Sequence, residues 1–408
     1  MKPMKKILGL LLALCLIAGC TSAFAAGIPV EQVKIGYITI GDENEGYSAN
    51  HLNGLKEAQA ALGISDDQVL CKYNVPETED AYEAAIDLAE QGCNIIFATS
   101  FGHESYVFQA AAEYPNIQFC HATGTAAMSS PLNNVHNYFY AVYESRYVSG
   151  VVAGMKLAQM IEDGTITAEN AKIGYVGAFP FAEVISGFTS FFLGARSQCP
   201  SVTMEVRYTN SWGDMALEKE TAEALIADGC VLISQHADTT GAPSACEAAG
   251  VPCVGPATAC EAAGVPIVGY NISMLPVAPN TALTSAAGDW GAYVTYAVKC
   301  LIDGEEIARD WCKGYAEGAV YTTELNDSIV APGTAEKVAE LEEAFKAGTV
   351  KVFDTSAFTV NGETLTSYTT AYGLEGIEMV SDGEFHESSV RSAPYFDILI
   401  DGITAVVE

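Results

Sequence analysis

The stretch KIGYVGA, residues 172–178, restarts in mid-chain a pattern that VKIGYITI begins at residues 33–40. After residue 40 come a helix carrying Leu52, Leu55 and Leu62 on one face, a second from about Ala81, and the strand NIIFATS. A helix near Tyr106, the strand IQFCHAT and a long helix from about Tyr143 to Ile161 complete the run. After residue 178 the same grammar gives a helix over 183–196, the strand TMEVRYT, a helix over 216–228 and the strand VLISQH. Short β-rich runs alternating with amphipathic helices imply parallel sheets covered on both faces. The expectation is therefore an α/β fold: two doubly wound parallel-sheet lobes joined by a hinge.

A chain of 408 residues is longer than one core usually serves, which agrees with two lobes. Residues 32–145 form the expected first lobe and 146–277 the second. The stretch PNTALTSAAGDWGAYVTYAVKCLIDG has a strand and a helix but no partner strand of its own. It is expected to return to the first lobe over about 278–310, with 311–349 going back to the second. From residue 350 the chain turns Thr-, Tyr- and Gly-rich, with a hairpin signal at Asn361-Gly362. Residues 350–408 are expected to be a small β-rich appendage.

The first residues, MKPMKKILGLLLALCLIAGC, set three lysines before an apolar run too short to span a bilayer. Residues 1–19 read as a secretory signal, and the small residues before Cys20 match the pattern cut and acylated in bacterial lipoproteins. Residues 20–31 would be the tether of an extracytoplasmic protein anchored to the cell membrane. A net charge of -32 with only 19 basic residues argues against nucleic acid as a partner and for a soluble monomer. Of 12 cysteines, two belong to the signal and the rest are scattered singly in apolar contexts, so buried free thiols are expected.

In open parallel sheets ligands bind beyond the carboxyl ends of the strands. The loops there, GDENEGYSANHLNG, TSFGHES, CHATGTAAM, GAFPFAEVISG, TNSWGDMALEKE and QHADTTGA, concentrate aromatic and acidic groups. Tyr47, His51, Phe101, Phe179, Glu183, Trp212, Asp214 and Asp238 are the candidate ligand contacts, together with Trp290 at a helix start. Such a set suits a flat ring held between aromatic faces with its N–H groups read by carboxylates. Phe181 is expected in the core, and Arg146 is expected to pair with Glu144 at the hinge. His236 and Asp238 have no third ligand at metal spacing, and no nucleophile elbow or phosphate loop is present. Neither an enzyme, nor a metal, nor a cofactor is expected.

In order and spacing these loops, with NYFYAVYESRYVSGVVAGMK, LTSAAGDWGAY and DWCKGYAEGAV, resemble the basic membrane protein family of lipoproteins over roughly residues 32–348. The resemblance implies a substrate-binding component of an ABC importer that delivers a purine base or nucleoside to a permease. Phe179, Glu183, Trp212 and Asp238 match that family's purine-binding branch, and Tyr47 stands where a tryptophan is common. No basic residue lies in the second-lobe loops to grip a ribose, which favours a base. A sugar-binding protein of the same fold and a lipoprotein ligand sensor remain the alternatives.

Residues 245–258 and 259–272 form a tandem duplication sharing the octet ACEAAGVP. Pro256 makes the first copy a poor central strand. The second copy is expected to supply the strand, Ile267 to Tyr270, with Gly269 and Tyr270 near the cleft and the surplus turn extruded.

Overall fold

The structure is a computed structural model and describes residues 27–249, 264–371 and 374–406. The first sheet is built from β1 (Ile35–Ile38), β2 (Val69–Lys72), β3 (Ile95–Ala98), β4 (Gln118–Ala122), β5 (Val135–Tyr140) and β11 (Asp310–Lys313). Its order is β11-β5-β4-β3-β1-β2, parallel throughout. The second contains β6 (Lys172–Gly177), β7 (Thr203–Tyr208), β8 (Leu232–His236), β9 (Ile267–Tyr270), β10 (Ala282–Gly288), β12 (Val320–Thr322) and β15 (Ile403–Val406). Its order is β12-β10-β9-β8-β6-β7-β15, with β12 alone antiparallel.

Buried strands such as β1 and β3, entirely apolar apart from one glycine, are what a sheet covered on both faces requires. Helices α1 (Gly46–Leu62), α2 (Glu79–Glu90), α3 (Glu104–Glu113) and α8 (Trp290–Asp303) clothe the first sheet. The second is covered by α4 (Val142–Glu162), α5 (Ala182–Gln198), α6 (Met215–Ala227) and α7 (Gly241–Ala248), while α9 (Thr334–Lys346) lies against α4. Several helix starts are written in the sequence as caps. Glu45 accepts from the Tyr47 and Ser48 amides, Thr78 from Asp80, and Asp289 from Gly291.

Among the described residues the chain crosses between the sheets three times, near Ala141, near Asp289 and over residues 314–319. This differs from the expected return at 278. Strand β10 pairs with β9 and stays in the second sheet, so the crossing comes about ten residues later, and only α8 and β11 go back to the first. Strand β11 ends at Lys313, which also moves the final crossing past 311.

The C-terminal region departs further from expectation. Asn361 and Gly362 both take positive φ, 53° and 81°, as the hairpin signal requires, but the pairing stops at the single bridge Val360–Glu363. Among the described residues only the two-residue strands β13 (Val380–Ser381) and β14 (Glu384–Phe385) and the strand β15 come after it. The segment is mostly irregular and is no separate appendage. Phe353, Phe358, Phe385, Phe396 and Ile403 are buried in the same core as α4 and α5.

Strand β9 is formed by Ile267–Tyr270, between β8 and β10. The second copy of the duplication therefore holds the sheet position. The extruded turn expected upstream falls on residues 250–263, outside the described residues. All eight described cysteines are free, six of them buried.

The tightest helix pair is α4 on α5, where the backbones come into contact. A methyl group at Gly150 would lie 2.0 Å from the Phe191 carbonyl oxygen, and one at Gly194 would lie 2.1 Å from that of Tyr147. Backbone cannot step aside as a side-chain tip does, so Gly194→Ala forces the helices apart. It is expected to lower unfolding free energy by about 1 to 3 kcal/mol, measured by denaturant titration; an unchanged midpoint would show that the helices shift without cost.

Candidate functional site

The carboxyl ends of the two sheets face each other across a cleft with about 370 Å³ of space. Ile40, Tyr47, Ser100, Phe101 and Thr123 line it from the first lobe; Glu183, Trp212, Asp238 and Tyr270 line it from the second. The lobes touch around it. Phe101 and Phe181, each more than two-fifths exposed, meet with ring centres 5.8 Å apart. Gly46, at the start of α1, sits so close to the second lobe that a methyl group there would lie 2.9 Å from the Asp238 carbonyl oxygen. Any side chain at Gly46 would hold the lobes open.

Five of the expected contacts, Tyr47, Phe101, Glu183, Trp212 and Asp238, are brought together on the cleft wall. The Tyr47 hydroxyl donates to the Thr99 carbonyl at 2.6 Å, which fixes its ring. Phe179 stands one layer back, stacked on Phe181 at 5.1 Å and tilted against Trp212 at 5.3 Å, so it braces the tryptophan. Phe181 itself is exposed at the mouth, contrary to the expectation of a core residue.

Besides Phe179, three residues do not reach the cleft. His51 is one helical turn beyond Tyr47, fully buried and stacked on Trp290 at 3.9 Å. Both form the floor beneath Tyr47, whose ring meets them edge-on. Burial holds His51 well below the usual histidine range, so it is neutral. Asp214 caps α6, accepting from the Ala216 and Leu217 amides at 3.0 Å. The expectation of a ligand contact there is corrected: the helix begins at the next residue, and capping claims the carboxylate.

The electrostatics are unusual. Asp238, 9% exposed, accepts from the Asn271 amide at 2.8 Å and is pushed well above the normal carboxyl range. Burial is the main cause, reinforced by Glu45, Glu218 and Glu183. Burial raises Glu183 to about 7, with Arg146 pulling it back, and one of its oxygens lies 3.5 Å from Nε2 of His236. Burial also lifts Glu218 to about 7, although both its oxygens accept from the Thr239 amide.

Arg146 does not pair with Glu144, which accepts instead from the Tyr315 amide. Its guanidinium lies 3.8 Å from the centre of the Tyr270 ring and donates to the Gln235 carbonyl at 2.7 Å. Two of its nitrogens have no partner among the described residues. Ile40, Ser100 and Thr123 were missed because attention to acidic and aromatic side chains passes over small residues at strand ends. The strand-end rule alone would have found Ser100 and Thr123. The Thr123 hydroxyl is buried without a partner among the described residues, so it can serve a ligand from the first-lobe side.

A wall of aromatic rings with buried carboxyls and hydroxyls can grip a small polar ring. Among the described residues no group of histidine, cysteine and carboxylate side chains is placed to hold a metal. The match to known proteins is direct: the family model for PnrA-like ABC transporter substrate-binding proteins covers residues 38–352.

The chain belongs to that family. Relatives include a purine-binding protein of Brucella abortus, 32% identical over 325 residues, which are 79% of this chain and 83% of that one. A Haloferax volcanii protein named for glucose binding in an ABC transporter is 29% identical over 350 residues, 85% and 81% of the two chains. Among solved structures, an ABC solute-binding protein of Aeropyrum pernix has the same fold, with a TM-score of 0.62 at 18% identity, over 79% of this chain and 93% of that one. This PnrA-like protein is thus an extracytoplasmic substrate-binding component of an ABC importer, with a small-molecule ligand and a permease partner. The family is one of binding proteins, not of enzymes.

The raised carboxyls make a pH signature. Glu183 and Glu218 bind protons more tightly folded, at about 7, than unfolded, at about 4.5. Their stabilisation is complete below the unfolded value and is lost as pH rises through the folded one. His103 and His136, held down to about 4 by burial, act in the opposite sense, but their effect levels off above the ordinary histidine value. The melting temperature of the ligand-free protein should therefore fall from about pH 6.5 to about pH 8. Glu183→Gln should flatten that fall; an equal slope in the variant would place the linkage elsewhere.

Proposed function

We propose that the cleft captures a purine base, and that the protein is held at the membrane surface by a lipid on Cys20. The observation that carries the ligand reading is Asp238: a buried carboxyl at a strand end, facing the cleft, whose best partner is a ligand N–H. Glu183 gives a second polar edge, and Tyr47, Phe101, Trp212 and Tyr270 give faces for a flat ring. Each such stack contributes on the order of 1 kcal/mol. The Arg146 cation lies behind Tyr270 and not on the cleft wall, which leaves the described wall without a cation for a phosphate. The purine binding for which the Brucella relative is named agrees with this reading.

Ligand contacts to both lobes would favour the closed form and present it to the permease. The sequence pattern before Cys20 supports the anchor, although residues 1–26 lie outside the described residues.

Calorimetric titration with adenine, guanine, hypoxanthine, their nucleosides, glucose, galactose and ribose tests the ligand class. Heat from a base alone is expected, and Asp238→Ala should weaken it by about 1 to 3 kcal/mol. Binding of sugars alone would replace the purine reading with a sugar one. For the anchor, metabolic labelling with an alkyne fatty acid should tag the wild-type protein and not Cys20→Ser; equal labelling of both would rule out acylation at that residue.

A further inference from the structure

The family match ends at residue 352, and the chain beyond that point is tied to both lobes. On the second lobe the ties are extensive. Strand β15 runs parallel to β7 in register from Ile403–Met204 to Val406–Arg207. Arg196 of α5 donates to the carbonyls of Ala357 at 2.6 Å and Asp401 at 3.2 Å. Glu387, buried, accepts from the Ser186 hydroxyl at 2.8 Å and from the Tyr395 and Phe396 amides. A buried carboxylate with this many donors is held firmly, so the segment moves with α5.

On the first lobe the tie is local and specific. Both the amide and the hydroxyl of Ser392 donate to the Asp310 carboxylate at 2.5 Å. Beside it, the Ser388 hydroxyl donates to the Ser392 carbonyl at 3.0 Å. Strand β11 is the edge of the first sheet, paired on its other side with β5, so residues 388–392 lie along an edge that belongs to the first lobe.

We propose that residues 374–406 are a strap across the hinge, anchored on the second lobe and clasping β11 through Asp310, which restrains the lobes from opening. The three covalent crossings let the lobes rotate; a fourth, non-covalent tie beside them must be stretched or broken when they do. A restraint that favours the closed form without ligand raises the binding-competent fraction and so tightens apparent affinity.

The test is small-angle X-ray scattering of the ligand-free full chain, which makes it independent of what the cleft binds. A compact chain of this length has a radius of gyration of about 22 Å. Asp310→Ala, which removes both acceptors, should exceed the wild type by on the order of 1 Å, the scale of a hinge opening. Asp310→Asn, which keeps one acceptor oxygen, should lie between the two. Circular dichroism establishes that each variant is folded, and Ser392→Ala, which deletes only the hydroxyl bond, replaces Asp310→Ala if that variant does not fold. Scattering curves from a folded variant that superimpose on the wild type would overturn the strap; a purely structural clasp would lower the melting temperature and leave the curves alone.

Discussion

Four carboxyl groups from two lobes, Glu45, Glu183, Glu218 and Asp238, are drawn toward one cleft, and no cation among the described residues stands on its wall. Burial is the main reason these groups hold protons more tightly, and at Asp238 the repulsion of the other three adds to it. A ligand that brings N–H groups relieves this repulsion; an anion adds to it. The constraint also reaches the hinge, because Glu45 belongs to the first lobe and the other three belong to the second. Bringing the lobes together adds Glu45 to the three carboxyls already grouped on the second lobe.

The aromatic residues obey the same arrangement. Rings on both sides exclude water from the carboxyls, and the carboxyls in turn need the rings as a dry wall. Trp212 is braced by Phe179, and Tyr47 rests on the stacked pair His51 and Trp290. The visible wall is thus one layer of a two-layer aromatic structure. The second layer sets where the first can stand.

Much of this was legible in sequence because two periodicities alternate cleanly. KIGYVGA and VLISQH announce buried parallel strands, and the helices between them show their apolar faces. Strands β5 and β11 were not legible: VHNYFY and DWCK carry His136 and Asp310, which find partners far along the chain at Ala308 and Ser392. The crossing near Asp289 was misplaced because no pattern in ALTSAAG says which sheet it will join. In the site, the strand-end rule found five of the nine lining residues. It overreached at His51, where one helical turn carries the side chain beneath the wall, and at Asp214, where local capping claims the carboxylate first. The C-terminal region misled through composition: Thr and Tyr favour strands, yet here they serve an irregular segment held by side-chain carboxylates such as Glu387 and Asp401.

Strand β15 has a consequence apart from the hinge. Without it β7 would be the rim of the second sheet, a row of unpaired amides and carbonyls able to template the same row on another molecule. Residues 403–406 occupy that rim with the chain's own backbone, and Thr404 puts an exposed polar side chain on it. The C-terminal segment therefore covers a backbone row that would otherwise stand open to pairing.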